Sequence, residues 1–198
     1  MKIAAILTLG FLGAADARMT FGKCPPVTMQ SNFDVNKFAG KWYEIERDGI
    51  FTWEMGQECV TEHFYEKNGE MSLHFRMQLW MALWTYPSVS GRMKCENSNA
   101  EKTCDMNLDV MPVDKWGEFN IMSTDYSSYA INYICKDMFD GGMRMEWLNI
   151  MSRDTSMSDA TLANAKSLIT AQLPEFDLSG WSMHTTVQGD TCTYDWTL

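Results

Sequence analysis

The sequence predicts an all-β protein, a sandwich or barrel of eight strands, with one helix near the C-terminal end. Three observations support this fold class. Short segments alternate between apolar and polar residues, turn residues separate these segments at short intervals, and helical periodicity occurs in a single late segment. Because the connections between strands are short, we expect successive strands to pair as neighbours in an up-and-down order.

Residues 71–79 form the clearest predicted strand. Met71, Leu73, Phe75, Met77 and Leu79 share one parity, and polar residues occupy the other. A period of two gives the strand one apolar face and one wet face. The predicted strands, named A to H in chain order, cover residues 42–51, 58–65, 71–79, 81–96, 101–110, 116–124, 129–136 and 143–152, and Pro87 is expected to bend or break strand D.

The segment after strand H departs from the strand pattern. Ser156 to Asp159 fit a capping box, apolar residues follow at helical spacing, and Pro174 ends the pattern. We predict one amphipathic helix of about four turns, packed on the outside of the sheet against Leu148 and Ile150 of strand H. A short final strand is expected near residues 181–186.

The first 17 residues have the pattern of a secretory signal peptide. Lys2 supplies a positive start, an apolar run follows to Gly13, and Ala15-Asp16-Ala17 is a small-x-small cleavage signature. The run is shorter than the roughly 20 residues that span a bilayer, and no other stretch is long and apolar enough. We therefore predict a signal peptide at 1–17 and one secreted, extracellular domain at 18–198.

Charge and ligand spacing exclude several classes of function. The formal net charge is −10, and an acidic surface without a basic stripe repels nucleic acid. The three histidines, His63, His74 and His184, are far apart in sequence, and no two cysteines form a C-x-x-C pair. The sequence therefore indicates no metal site, no cofactor and no nucleic-acid partner.

Six cysteines in a secreted chain favour disulfides. Cys95 and Cys104 lie equally far from a turn centred near Asn99, so a hairpin would place them directly opposite each other. Opposed side chains have Cβ atoms about 4.5–5.5 Å apart, which is close to disulfide range. We pair these two, and the other four cysteines leave three possible pairings.

Three ordered motifs resemble those of the lipocalin family. NFDVNKFAGKWYEIERD (32–48) resembles the first, IMSTDYSSYAINYIC (121–135) the second, and IMSRD (150–154) the third. Together with the late helix and the opening Cys24-Pro25-Pro26, the resemblance covers essentially the whole mature chain. It is greatest to the apolipoprotein D-like and bilin-binding lipocalins, and it is loose between Gln78 and Val113.

The resemblance implies an eight-stranded antiparallel up-and-down β-barrel, open at one end, with one C-terminal α-helix packed outside. It implies that Trp42 plugs the closed end beneath Arg153 and that Gly40 lets the chain cross there closely. Thr124, Asp125 and Tyr126 would line the same end as scaffold. The family connectivity would pair the remaining cysteines as Cys24 with Cys135 and Cys59 with Cys192.

The family resemblance favours a cavity over a filled core, since the parity of inward residues is the same in both. Our main hypothesis is a secreted, non-enzymatic carrier that binds a fatty acid, sterol, retinoid, carotenoid or bilin non-covalently. The predicted ligand-binding residues are mostly aromatic, aliphatic or thioether side chains: Phe64, Leu73, Phe75, Met77, Phe119, Ile121, Met145, Trp147 and Asn149.

Two other classes of function stay open. A lipocalin-type enzyme acting on a lipid or xanthophyll would need a free cavity thiol or interior acid groups, and Glu62 is the inward ionisable residue of interest. A surface-binding protein would use its mouth loops. There the tryptophans between Trp80 and Trp116 could form an exposed apolar patch that drives weak homo-oligomerisation, but we favour packing of these rings within the mouth.

Overall fold

The computed structural model describes residues 18–49, 56–67, 70–79, 88–95, 104–108 and 117–194. The predicted signal peptide at 1–17 and the tryptophans at 80, 84 and 116 lie outside these ranges. The elements in chain order are β1 (Arg18–Phe21), α1 (Val35–Phe38), β2 (Gly40–Asp48), β3 (Gln57–Lys67), β4 (Glu70–Leu79), β5 (Ser88–Cys95), β6 (Cys104–Leu108), β7 (Gly117–Thr124), β8 (Ala130–Met138), β9 (Met143–Ser152), α2 (Asp159–Gln172) and β10 (Met183–Thr185).

Strands β2 to β9 form an antiparallel barrel. Each pairs with the next in sequence, and the pairing of β9 with β2 joins the last strand to the first. Because β9 pairs with β2, neither strand is a free edge of the barrel, and their backbone N–H and C=O groups hydrogen-bond to each other. The predicted up-and-down order of strands A to H is confirmed, and these strands correspond to β2 to β9.

Two short strands extend the sheet on either side of the closure. β1 pairs with β9, and β10 pairs with the end of β2. A strand near β10 was predicted, but none was predicted at β1, because four residues directly after a predicted signal peptide are too few to show a strand pattern. Strand A was predicted to reach residue 51, whereas β2 ends at Asp48, directly before Gly49. β5 begins at Ser88, directly after Pro87.

Helix α2 begins at a different cap from the one predicted. Ser158 is the N-cap, since its hydroxyl accepts a hydrogen bond from the Thr161 amide at 3.1 Å. The predicted capping box at Ser156 and Asp159 is therefore wrong. Asp159 is instead the first helical residue, where the positive end of the helix dipole stabilises its carboxylate. Pro174 does follow the end of the helix, as predicted. Within the described ranges, no helix is long and apolar enough to cross a membrane.

The barrel wall separates two apolar clusters. Along β9, Trp147 and Met151 belong to the inner cluster, whereas Leu148 and Ile150 belong to the outer one. The helix contributes Ala165, Ile169 and Leu173 to the outer cluster. The predicted packing of α2 against Leu148 and Ile150, on the outside of the sheet, is therefore confirmed. The alternation follows from the two-residue period of a strand.

Two disulfides join the ends of the chain to the barrel. Cys24 is bonded to Cys135 on β8, and Cys192 to Cys59 on β3, with Cα atoms 5.8 and 5.4 Å apart. These are the pairings that the resemblance implies. Each closes a loop of more than 100 residues, worth about 4–5 kcal/mol in the chain-entropy model. Cys95 stands directly opposite Cys104 in the β5–β6 register. Their sulfur atoms lie outside the described part, so that bond stays a prediction.

Arg153 closes one end of the barrel, which we call the closed end. Its guanidinium carbon lies 3.8 Å from the centre of the Trp42 ring. Its nitrogens donate hydrogen bonds of 2.9–3.2 Å to five carbonyl oxygens, those of Lys37, Phe38, Ala39, Lys41 and Tyr126. At Gly40 the φ angle is +103°, and a Cβ there would lie 3.1 Å from an Arg153 nitrogen. The glycine therefore permits both the backbone conformation and the close crossing.

The β7–β8 turn packs at the same end. The Tyr126 hydroxyl accepts a hydrogen bond from the Asp34 amide at 3.0 Å. Burial opposes ionisation of Asp125, but the hydroxyl of Ser128 and the amides of Ser127, Ser128 and Tyr129 all donate to its carboxylate. These bonds lower the pKa of Asp125 to about 2. The Thr124-Asp125-Tyr126 segment thus holds its own turn and anchors α1.

We predict that Arg153→Lys destabilises the protein strongly. Lysine keeps the charge but lacks the planar fork that reaches several carbonyls at once, so the free energy of unfolding should fall by about 2–4 kcal/mol. Urea unfolding followed by tryptophan fluorescence measures the loss. Arg92→Lys, at an exposed side chain of β5, is the control and should change stability by less than about 0.5 kcal/mol. Equal stability of the two variants would contradict this role of Arg153.

Candidate functional site: the barrel interior

Most of the predicted ligand-binding residues lie along the inner face of the barrel. Phe75 and Met145 are partly buried and pack against the inner cluster. The rest are almost fully buried: Phe64, Leu73, Met77, Phe119, Ile121, Trp147 and Asn149. Eight of the nine therefore lie on or beside one interior surface, whereas Met77 is buried but belongs to neither apolar cluster of the described residues. Their contact with a ligand remains a prediction.

Aromatic rings fill the closed half of this interior. Phe38 stacks on Trp42 with ring centres 5.0 Å apart and meets Phe64 edge-on at 4.9 Å. Phe64 in turn lies 6.1 Å from Phe119. Such pairs contribute about 0.5–1.5 kcal/mol each beyond their buried area. Phe38, Trp42 and Phe64 thus form an aromatic floor, and Phe64 can offer a ligand only the face directed away from it. Phe119 pairs with Ile134 across the β7–β8 register, at the level of Trp147.

A group of polar residues crosses the apolar interior above this floor. We call it the interior polar band: Glu44, Arg47, Glu62, Asn132 and Asn149, each at most 3% exposed. Asn149 pairs with Asn132 on β8 and with Arg47 on β2. Its amide nitrogen donates to Glu62 Oε1 on β3 at 2.6 Å. Four strands therefore contribute polar side chains to one level of the interior.

A β-bulge in β2 places Glu44 and Arg47 on the same face. The register shifts between Glu44 and Glu46, so residues three apart both point inward. Arg47 donates to Glu44 Oε1 at 2.8 Å and to the Gln57 carbonyl at 2.8 Å. Thr186 of the C-terminal tail donates to the same Glu44 oxygen at 2.6 Å. This ion pair is therefore surrounded by hydrogen-bonding partners, as a buried pair must be.

The carboxyl group of Glu62 has a strongly raised pKa. Burial raises the pKa of Glu62 and the nearby Glu44 carboxyl raises it further, whereas the Asn149 hydrogen bond lowers it; the result is about 8. The carboxyl is therefore mostly protonated at neutral pH. Among the described residues, no group of three or more histidine, cysteine or acidic side chains could hold a metal ion.

Glu62 and Asn149 were predicted from the sequence to face the interior, whereas Glu44, Arg47 and Asn132 were not. Asn132 lies between the apolar Ala130 and Ile134 at the same parity, which was a readable signal. Glu44 and Arg47 could not be placed, because the bulge that brings them to one face leaves no mark in the residue pattern.

We predict that the burial of Glu62 makes stability depend on pH. Its folded pKa of about 8 exceeds the ordinary value of 4.5, so the folded state holds a proton that the unfolded state releases. The contribution of this bound proton to the free energy of unfolding is fully present below about pH 4.5, and it is lost as the pH rises through about 8. Glu62→Gln removes the effect, so its stability relative to wild type should rise over that window by up to roughly 4 kcal/mol.

Urea unfolding at pH 5, 6.5 and 8 measures this difference. Glu175→Gln, at an exposed position, is the matched control and should follow the wild-type profile. Parallel profiles for Glu62→Gln and wild type would show that the carboxyl is ionised in the folded protein.

Several known proteins resemble this chain over most of its length. Mouse apolipoprotein D is 27% identical over 161 residues, which cover 81% of this chain and 82% of that protein. Bovine apolipoprotein D is 29% identical over 164 residues, covering 82% and 83%. Among solved structures, apocrustacyanin C1 superimposes with a TM-score of 0.69 at 19% identity, covering 89% of this chain and 94% of that one. The last likeness supports the fold alone.

The family model supplies the assignment. The model described as the lipocalin / cytosolic fatty-acid binding protein family matches residues 39–190. That range holds the whole barrel, the closed end with Trp42 and Arg153, and helix α2. Members of this family bind small hydrophobic ligands. The chain therefore belongs to the lipocalin family.

Proposed function

We propose that the protein is a secreted carrier that binds a small hydrophobic molecule, such as a fatty acid, sterol, retinoid, carotenoid or bilin, non-covalently inside its barrel. The observation that carries this proposal is the inner face itself. Its side chains are aromatic, aliphatic or thioether groups interrupted by one polar band, and the aromatic floor closes one end. Small-molecule sites have this composition, mostly apolar with a few polar groups that orient the ligand.

Apolar burial would supply the binding free energy. At about 25 cal/mol per Å², a ligand that buries about 300 Å² of apolar surface would gain roughly 7 kcal/mol before ordering costs. Trp147 is the lining residue of greatest interest. Its ring is 5% exposed and it pairs with Ile134 across the β8–β9 register.

Export from the cell is supported by chemistry outside the barrel. The two disulfides require an oxidising compartment to persist, which fits a secreted protein. The first 17 residues have the pattern of a signal peptide. Expression with residues 1–17 attached, followed by N-terminal sequencing of the exported protein, tests this part. Recovery of the chain in the medium beginning at Arg18 is expected, and retention in the cell would contradict export.

We predict saturable ligand binding that depends on Trp147. The delipidated protein is titrated with a panel of the ligand classes above, and quenching of tryptophan fluorescence reports binding. Trp147→Ala should raise the dissociation constant at least tenfold because it removes a large apolar contact surface. Trp181→Ala is the matched control, since that ring is 96% exposed and should leave affinity unchanged. Failure of every ligand class to bind saturably would reject the carrier function.

Glu62 favours a second candidate, a lipocalin-type enzyme acting on a lipid or xanthophyll. A buried acid with a pKa near neutrality is suited to proton transfer. Under this alternative, incubation with a xanthophyll epoxide and an added two-electron reductant would yield the alkene and water, with Glu62 as a proton donor to the epoxide oxygen, and Glu62→Gln would abolish product formation. An unchanged substrate profile by chromatography would reject this route.

The thiol route to enzymatic activity has a separate test. Four cysteines are held in disulfides, and Cys95 faces Cys104 across the β5–β6 register. We therefore predict that alkylation without reductant, followed by mass spectrometry, adds no label to the folded protein. A labelled Cys95 or Cys104 would leave a nucleophile available and would revive a thiol mechanism.

A further inference from the structure

We propose that Asn132, Asn149 and Glu62 form a polar subsite that binds the hydroxyl or carbonyl group of an uncharged, otherwise apolar ligand. This inference rests on the carrier function proposed above and specifies the ligand class. It assigns a role to the part of the interior polar band that the protein's own contacts leave incomplete.

The first support is a set of buried polar atoms without hydrogen-bond partners. Both amide atoms of Asn132 lack a partner among the described residues, although the side chain is fully buried. Asn149 Oδ1 and Glu62 Oε2 also lack one. Leaving such a group unpaired costs about 1–3 kcal/mol, and folded proteins contain few of them. Several gathered at one place therefore indicate a site built for an external polar group.

The second support is their arrangement. Asn132 and Asn149 are direct cross-strand partners, so their Cβ atoms are about 4.5–5.5 Å apart. The Asn149 amide reaches across β2 to Glu62 on β3. Apolar pairs flank the two asparagines on both sides along β8 and β9: Ala130 with Met151 toward the floor, and Ile134 with Trp147 toward the other end. A ligand lying along this face would therefore contact apolar side chains on both sides of the polar asparagine pair.

The chemistry of the unpaired atoms selects an uncharged group. Asn132 offers a donor and an acceptor, and Asn149 offers an acceptor. Because the raised pKa of Glu62 keeps its carboxyl protonated, Oε2 offers a further donor at neutral pH. A hydroxyl can donate to one asparagine oxygen while it accepts from the Asn132 amide, and a carbonyl can accept from the donors.

A carboxylate fits this level poorly. Glu44 already brings a negative charge to the band, and Arg47 is engaged by Glu44 and the Gln57 carbonyl. An added anion would be desolvated beside two carboxyl groups, which is costly without a matching cation. Lys136 shares the inward parity on β8 but lies four residues, about 13 Å, farther from the closed end. The level of the asparagines therefore favours an uncharged group over a fatty-acid anion.

The test uses three ligands with the same chain and different ends: hexadecanol, hexadecanoic acid and hexadecane, each titrated at pH 7.4 against the delipidated full domain. Wild type is expected to bind hexadecanol at least tenfold more tightly than either of the others, since one good hydrogen bond corresponds to about a factor of ten. Asn132→Leu should abolish this preference and leave hexadecane affinity unchanged or higher.

Controls separate the subsite from folding. Asn164→Leu makes the same change on the exposed side of α2 and should keep the wild-type preference. Urea unfolding of Asn132→Leu should show unchanged or higher stability, because the variant removes an unpaired amide. Asn132→Ala replaces it, with the same expected loss of preference, if the larger side chain prevents folding.

The outcomes distinguish the two proposals. If all three ligands bind and hexadecanol has no advantage, or if Asn132→Leu keeps the advantage, the subsite is refuted and the carrier function stands. If none of the three ligands, and no member of the wider panel, binds saturably, the carrier function fails and the subsite fails with it.

Discussion

The stacked contact between Arg153 and Trp42 is the constraint on which the barrel's geometry depends. The Arg153 guanidinium stacks on the indole ring. Five backbone carbonyls from α1, its C-terminal end, β2 and the β7–β8 turn accept hydrogen bonds from the guanidinium nitrogens and fix its position. These segments are distant in sequence. Arg153 itself follows the end of β9, the strand that closes the barrel against β2. The residue that closes the floor therefore follows directly on the strand that closes the sheet.

The floor in turn determines where a ligand could lie. Phe38, Trp42 and Phe64 pack ring against ring, so the closed half of the interior is a conventional aromatic core. The inner face changes character at the next level, where Trp42 pairs directly with the buried Glu62. A protein that needed only a filled core would place apolar residues there, since they would remove the cost of burying carboxyl and amide groups. The polar residues at this level are the ones that we propose to orient the ligand.

The C-terminal tail packs on the barrel wall at β2 and β3 and is bonded to it by a disulfide. β10 pairs with the far end of β2, and the Gln188 amide donates to the carbonyls of Glu44 and Val60 at 2.9 and 2.7 Å. The tail thus connects β2 and β3 where they no longer pair directly, and Cys192 fastens it to Cys59. Thr186 in this segment also supports the Glu44–Arg47 pair, so the end of the chain stabilises the interior polar band.

Local patterns were sufficient for the order of the eight barrel strands, the inner and outer faces of β4 and β9, the position of α2 and the opposition of Cys95 and Cys104. These features follow from two-residue and helical periods and from turn residues, all of which are written along the chain. The family resemblance supplied what periodicity lacks: closure into a barrel and the meeting of Trp42 with Arg153. The helix cap at Ser158, the strand β1, and the shared face of Glu44 and Arg47 came only from the folded chain. Each depends on a partner or a bulge that a single strand's sequence does not encode, because register is set by what packs on the other side.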